Sequence, residues 1–398
     1  MSLGQEMMGW AKDLWPLCRS ITGPGTRDTL RYLKDKIPEL QIKSVASGTK
    51  CFDWTVPDEW FAHGAELWSP EGEKILDFKD SNLHLMGYSA AIDAAVPLAE
   101  LQQHLHSLPE QPDAIPYVTS YYKRDWGLCL THNQRMALKP GEYAVKIDTD
   151  ILPGVMNWGE IVLRGKSEKE ILISTNICHP SLANNELSGI VVVAALAREL
   201  AKRDRRYTYR ILFLPETIGA IYYISSNQYD AARPEDVEAG YHCICLGDDR
   251  PLGWGERGSD ERQWNSALVD LPVVTITRGK IGDYPEYHTS LDNLDFIKPQ
   301  NLEESYNYIL KIIEGHEVNK TYRAIFPCEP QLGKRGLYPQ LSTKETIKEV
   351  ELMLDILRLC NGKRDLSLIA NELGSDIFTC SSIAERLVVG GVLESVSV

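Results

Sequence analysis

Residues 170–203 read EILISTNICHPSLANNELSGIVVVAALARELAKR. The opening seven residues are an apolar and β-branched run without clean alternation, the pattern of a strand covered on both faces. Residues 189–203 place apolar side chains at helical spacing. Between them lies a short polar loop that begins Cys178-His179-Pro180 and ends Ser188-Gly189. Strand, loop and helix in that order form one unit of a parallel α/β sheet. In such sheets functional side chains gather beyond the C-terminal ends of the strands.

The same texture extends outward. Strands are expected at 141–149 (GEYAVKIDT), 159–165 (GEIVLRG), 209–215 (YRILFLP), 241–247 (YHCICLG) and 272–279 (PVVTITRG), with helices at 189–203, just after Glu216 and at 301–318. The fold class is therefore α/β, a mostly parallel central sheet with flanking helices, assigned to residues 1–40 and 136–328. Two N-terminal helices are expected, the second at 27–37. Residues 41–135 differ, with short alternating runs broken by Pro, Gly, Asp and Asn and one helical piece at 98–108. They read as a small inserted β-rich domain. Residues 329–342 read as a linker. Residues 343–398 hold three helices and a β tail, the order of a winged-helix module.

Reading the strand ends in turn gives the candidate chemistry. His179 follows the strand at 170–176, Glu216 follows 209–215, Asp248 and Asp249 follow 241–247, and His288 and Asp292 lie in the loop after 272–279. Two imidazoles and several carboxylates at one sheet edge are a donor set that suits zinc with an open position for water. Such a metal lowers the pKa of its water, and a carboxylate such as Glu216 takes the proton and passes it to a leaving amine. Each residue also has a plain structural reading: a turn for His179, a surface loop for His288, a helix N-terminus for Glu216, turn formers for Asp248 and Asp249. Arg262, in GSDERQW, is a candidate to grip a substrate carboxylate, with an ion pair to Asp260 or Glu261 as its structural alternative. Tyr287 is a candidate to contact substrate or stabilise an oxyanion, against a purely packed ring. Ser188 reads as a helix cap, not a nucleophile.

Composition bounds these readings. The chain has 398 residues, enough for two or three domains, and 43% hydrophobic residues, which argues against disorder. A net charge of −14 argues against nucleic acid or an anionic membrane as partner. Residues 343–398 carry six Lys and Arg against nine Asp and Glu, which points the winged-helix module toward protein contacts rather than DNA. Nine scattered cysteines without a CxxC pair exclude a disulfide framework and suggest a reducing, cytoplasmic setting. No run is long and apolar enough to span a bilayer, and the N-terminal MSLGQEMMGWAKDLW reads as an amphipathic helix rather than a secretory signal. The β-rich insertion and the terminal module could each supply a contact with a second copy of the chain.

The order His179, Asn184-Asn185-Glu186-Leu187-Ser188-Gly189, Glu216-Thr217-Ile218-Gly219, Asp248 and Tyr287-His288-Thr289 resembles the zinc aminopeptidase superfamily. More specifically, FDWTVP, LPEQPDAIPYVTSYY, CHPSLANNELSG, PETIG, GSDERQW and PEYHTSLDNLDF resemble the polysaccharide-biosynthesis-associated proteins with an aminopeptidase-like domain, an inserted β domain and a C-terminal winged helix. The resemblance implies a zinc-dependent hydrolase of an amide or peptide bond on a small substrate. His179 and His288 stand where the superfamily has its first and last metal ligands, Asp248 at its strand-end aspartate, and Glu216 at its general base. Thr217, Asn185 and Ser181 stand where it has carboxylates. The leading arrangement is one zinc per chain, held by His179, Asp248 and His288 with Glu186 or Asn185 beside it. Two alternatives stay open. Glu216 is itself a ligand, or the site is eroded and the protein binds or scaffolds without hydrolysis.

Overall fold

The computed structural model describes residues 1–226, 236–338 and 344–396. Two compact units divide between Asn307 and Tyr308. The first is built on a seven-stranded sheet in the order Gln41–Ala46, Val155–Leu163, Thr208–Leu214, Glu170–Asn176, Val237–Cys243, Val273–Arg278, Leu252–Trp254. The four strands from Thr208–Leu214 to Val273–Arg278 run parallel, and the outer pairings are antiparallel. This is the expected α/β class. Every residue of Glu170–Asn176 and Thr208–Leu214 is buried, as two-sided cover requires.

Helices cover both faces. Gly189–Leu200 is buried along nearly its whole length and packs on Glu170–Asn176 beside Leu3–Leu14 and Pro24–Lys36. Its entry is tight, because a Cβ on Gly189 would stand 2.5 Å from Thr175 Oγ1 and 2.7 Å from the Cys243 carbonyl. Leu3–Leu14 starts at a capping box between Ser2 and Gln5. On the opposite face lie Ile218–Ser225 and Glu261–Trp264.

The β-rich region departs from its expected boundaries. Gln41–Ala46 pairs with Val155–Leu163 in the large sheet, while Glu142–Leu152, expected there, is an inner strand of a second, four-stranded antiparallel sheet with Lys74–Asp77, Glu59–Trp68 and Ile92–Pro97. The burial of Glu142–Leu152 alternates strictly over its first nine residues, the mark of an antiparallel strand with one wet face. The region is not a separate body either. Trp60, Leu67, Val145 and Ile147 share one hydrophobic cluster with Leu212, Ile218 and Trp264. The helix expected at 98–108 closes after one turn, Leu98–Leu101, and Leu105–His106 pairs with Leu128–Cys129.

The second unit has its own core around Tyr322, Met353, Ile356, Ile369, Ile383 and Leu393. Helices Lys344–Leu359, Leu366–Glu372 and Ile377–Val389 accompany a three-stranded sheet in the order Asn361–Asp365, Thr321–Ala324, Leu393–Val396. Its central strand precedes the expected linker, so the module begins well before residue 343. Leu332 and Leu337, inside the expected linker, are buried in this core; its residues 339–342 lie outside the described residues. Pro and Gly there signal irregular backbone, not loose packing. Among the described residues no helix is long and apolar enough to cross a membrane.

Candidate metal centre

The loop after Glu170–Asn176 turns through a wide π-type turn at Ala183–Ser188 before entering the long helix. Glu186 is fully buried in it and organises the loop. Its carboxylate accepts the backbone N–H groups of Cys178 (2.6 Å) and His179 (2.7 Å) and lies 2.9 Å from His179 Nδ1. Arg19, also fully buried, stands 3.5 Å away and donates to the His179 carbonyl (2.8 Å). Facing a carboxylate acceptor, Nδ1 carries the proton, which frees Nε2 as the basic nitrogen. Burial alone would lower the His179 pKa, but Glu186 outweighs it and holds the imidazole above its ordinary value.

His179 Nε2 lies 3.5 Å from Glu216 Oε2. The His288 ring is 5.2 Å from the His179 ring, centroid to centroid, and its Nε2 is 3.2 Å from Asn185 Oδ1. Burial, then the neighbouring His179, pushes His288 down to about 3. In its neutral form His288 offers a lone pair. Zinc bonds of about 2.0–2.1 Å in a tetrahedron imply ligand atoms about 3.3–3.4 Å apart. Each separation taken alone is close to that edge, so the site offers two donor pairs on neighbouring loops, His179 with Glu216 and His288 with Asn185.

Asp292 pins the loop opposite His288. It accepts the backbone N–H groups of Asn184 (2.6 Å) and Asn185 (2.9 Å) and is raised to about 6, chiefly by burial. Asn185 Nδ2 reaches Cys245 Sγ at 3.4 Å, which fixes the amide with its oxygen toward His288. Ser188 does not cap the helix: its hydroxyl donates to the Asn184 carbonyl and accepts from Leu246 N, tying loop to sheet.

Glu216 sits before a strained turn. Thr217 has φ +62° and ψ −72°, and Ile218 N–H donates to the Glu216 carbonyl at 2.7 Å, the rare γ-turn of positive φ. Asp260 holds it, accepting Thr217 N–H with both oxygens (2.9 and 3.1 Å). Burial, then Glu216, pushes Asp260 well above the usual carboxylate range. Ser181, Cys245 and His288 also have positive φ. Four such non-glycine residues on the loops of one site, at about 1–3 kcal/mol each, are strain of the kind that collects where geometry serves function.

Two expected ligands are engaged by other groups. Asp248 is buried, but its oxygens accept from Arg250 N (2.7 Å), the Arg250 guanidinium (2.8 Å) and Asn184 Nδ2 (2.6 Å), so its charge is committed to that pair. Glu186 belongs behind His179, its oxygens filled by N–H donors. Cys178, His179 and Glu186 do form a compact group of potential ligands. Yet Cys178 Sγ accepts Glu216 N–H, and burial, then Glu186, pushes its thiol well above the ordinary value. Asp249 pairs with Lys298 at the surface. Tyr287 stacks on His288 at 3.9 Å and 11°. Arg262 is exposed, and its charge acts on both Asp260 and Tyr287.

The sequence reading missed Tyr117. Its ring lies 5.2 Å from both the His179 and His288 rings, and its N–H donates to the His288 carbonyl at 2.8 Å. Its hydroxyl is 3.3 Å from that of Tyr121. The β-rich region thus supplies one wall of the site. The phrase IPYVTSYY contains both tyrosines, but the bridge between Pro116 and Thr289 that brings them in has no local sequence signal.

The profile of a family described as a domain of unknown function (DUF4910) matches residues 8–254 and 252–319, and a winged helix-turn-helix profile matches 320–395. A curated protein of Clostridium acetobutylicum is 38% identical over 416 residues, spanning 96% of this chain and 95% of its own length; it is described provisionally as a polysaccharide biosynthesis protein with aminopeptidase-like domain. A crystal structure from the same organism, described provisionally as a peptidase, superposes with a TM-score of 0.92 at 37% identity, covering 99% of this chain and 96% of that one. A zinc aminopeptidase from Bacillus subtilis superposes with a TM-score of 0.54 at 11% identity, covering 77% and 92%, a likeness of fold alone.

Proposed function

This chain belongs to the DUF4910 family, aminopeptidase-like in fold with a C-terminal winged helix, and from that premise we propose that it is a zinc-dependent hydrolase of an amide or peptide bond on a small substrate. The observation that carries the reading is the gathering at one sheet edge of His179, whose Nε2 lies 3.5 Å from Glu216 Oε2, and His288, whose ring lies 5.2 Å from that of His179 and whose Nε2 meets Asn185 Oδ1.

His179 and His288 would hold the ion, with Asn185 Oδ1 beside them. When bound, zinc supplies Lewis acidity toward the scissile carbonyl and lowers the pKa of a bound water. Glu186 keeps His179 Nδ1 protonated and its ring fixed, a carboxylate behind a ligating histidine. Glu216 has its side chain about a quarter exposed, at the cleft side of His179. Its Oε2 takes the proton of the attacking water and delivers it to the departing nitrogen. Asp260 positions it through Thr217. Tyr117 and Tyr287 pack against the imidazoles and keep bulk water out. Arg262, exposed near Tyr287, is placed to pair with a carboxylate on the substrate. The relative's description as a polysaccharide biosynthesis protein supports a substrate from such a biosynthesis.

A second reading, a binding protein on a peptidase fold, has a specific support. Asp248 is committed to Arg250, and Thr217 and Asn185 replace carboxylates, which leaves two imidazoles as the strong donors. The test is Glu216→Gln, assayed by amine release from a panel of N-acyl amines and short peptides with zinc-loaded protein. Hydrolysis by the wild type that falls by 10²-fold or more in the variant, with zinc still bound, supports a base. Zinc bound by both proteins with no amine released by either supports the binding protein.

A further inference from the structure

Phe52, Trp54 and Tyr122 are exposed aromatic residues, the last two in ring contact, and none is used by the chemistry above. Phe52 is 69% exposed, Trp54 39% and Tyr122 51%. Phe52 opens the two-residue loop of the hairpin Lys50–Cys51 and Trp54–Thr55, at φ +51°. Such loops favour Gly, Asn or Asp at positions of positive φ, where a bulky side chain is costly. The chain thus accepts backbone strain to hold a phenyl ring in water, a local rule broken where function is expected. The Trp54 and Tyr122 rings meet edge to face at 6.1 Å, and the Tyr122 hydroxyl donates to the Thr55 carbonyl (3.1 Å), fixing the array.

The chain leads from the patch toward the site. Tyr121 follows into the interior, its hydroxyl 3.3 Å from that of Tyr117, whose ring packs on His179 and His288. Charges of both signs rim it: Asp53 is exposed, Lys50 Nζ donates to Thr55 Oγ1 (2.7 Å), and Arg124 pairs with Asp58 (3.0 Å). A chain of net charge −14 does not seek an anionic lipid surface or a nucleic acid. Aromatic faces with a mixed polar rim instead match a neutral ring that has one face of C–H bonds and an edge of hydroxyls. The negative ring face attracts polarised C–H groups, and the rim hydrogen-bonds the hydroxyls.

We propose that Phe52, Trp54 and Tyr122 are a saccharide-stacking platform, the glycosyl subsite of the substrate whose amide bond reaches the His179–His288 centre. Its assignment to the substrate rests on the hydrolase reading; the platform itself does not. The experiment is saturation-transfer difference NMR with chitotetraose, an oligosaccharide of N-acetylated sugars, on the full chain. Saturable transfer to the sugar ring protons is expected, weakened roughly two- to tenfold by Trp54→Ala and by Tyr122→Ala. Trp54→Phe restores most of it. Trp254→Ala leaves it unchanged, removing an exposed tryptophan on the strand Leu252–Trp254. Absence of transfer in the wild type, equal transfer in Trp54→Ala and Tyr122→Ala, or tetraglycine binding with the same dependence on Trp54 overturns the platform. Sugar binding with no amine released from the panel of N-acyl amines and peptides by the zinc-loaded protein keeps the platform and removes the hydrolase reading.

Discussion

Glu186→Gln changes little in shape and removes one buried charge. The carboxylate it replaces accepts three N–H donors, from Cys178 N, His179 N and His179 Nδ1, and faces Arg19 at 3.5 Å with both side chains fully buried. A carboxamide has one acceptor oxygen, so a donor goes unsatisfied, and the Arg19 guanidinium loses its counter-charge. Removing one partner of a buried pair costs about 3–5 kcal/mol. The His179 ring also loses the acceptor that fixes its tautomer, and such a loss behind a ligating histidine lowers metal affinity about 10- to 100-fold. Two assays separate these effects: urea unfolding of the metal-free chain, and zinc affinity by competition with a chromophoric chelator. Adding Arg19→Met to Glu186→Gln removes the orphaned charge, so stability recovers while zinc affinity stays low. Unchanged zinc affinity in Glu186→Gln refutes the orienting role. Affinity abolished as fully as in His179→Ala shows Glu186 to be a ligand, the assignment the sequence alone suggested.

Asn185→Asp places a carboxylate between His288 and Cys245 and is expected to raise zinc affinity by about tenfold or more, because an anionic oxygen replaces a neutral one; an unchanged value in the same titration contradicts the placement of Asn185. His242, fully buried between Ser174 and Ser259, is pushed down to about 4 by burial, so between pH 6.5 and about 4 the unfolded chain holds a proton that the folded one does not. Stability therefore rises with pH across that window and falls on acidification by on the order of 3 kcal/mol, and His242→Gln flattens this slope in urea unfolding at a series of pH values.

The parallel sheet was legible because its strands are uninterrupted apolar runs, and His179, Glu216 and His288 stand out as candidates because each follows such a run. The strand Glu142–Leu152 was misassigned although its alternation was visible, since its neighbour in sequence, Val155–Leu163, belongs to the large sheet. Asp248 and Glu186 look like ligands by residue type and position. Only tertiary geometry reveals that Arg250 claims one and the backbone of Cys178 and His179 the other. Tyr117 enters through a bridge between segments over 170 residues apart, and Asp260 through a hydrogen bond to a strained turn. Neither contact leaves a local pattern.

The most direct test of the central claim is the zinc content of the purified chain, measured by plasma mass spectrometry for the wild type beside His179→Ala and His288→Ala. The account predicts close to one zinc per wild-type chain and its loss in both variants, with the fold retained by circular dichroism. A wild-type chain that takes up no zinc even after incubation with the metal, or two histidine variants that keep it, contradicts the account.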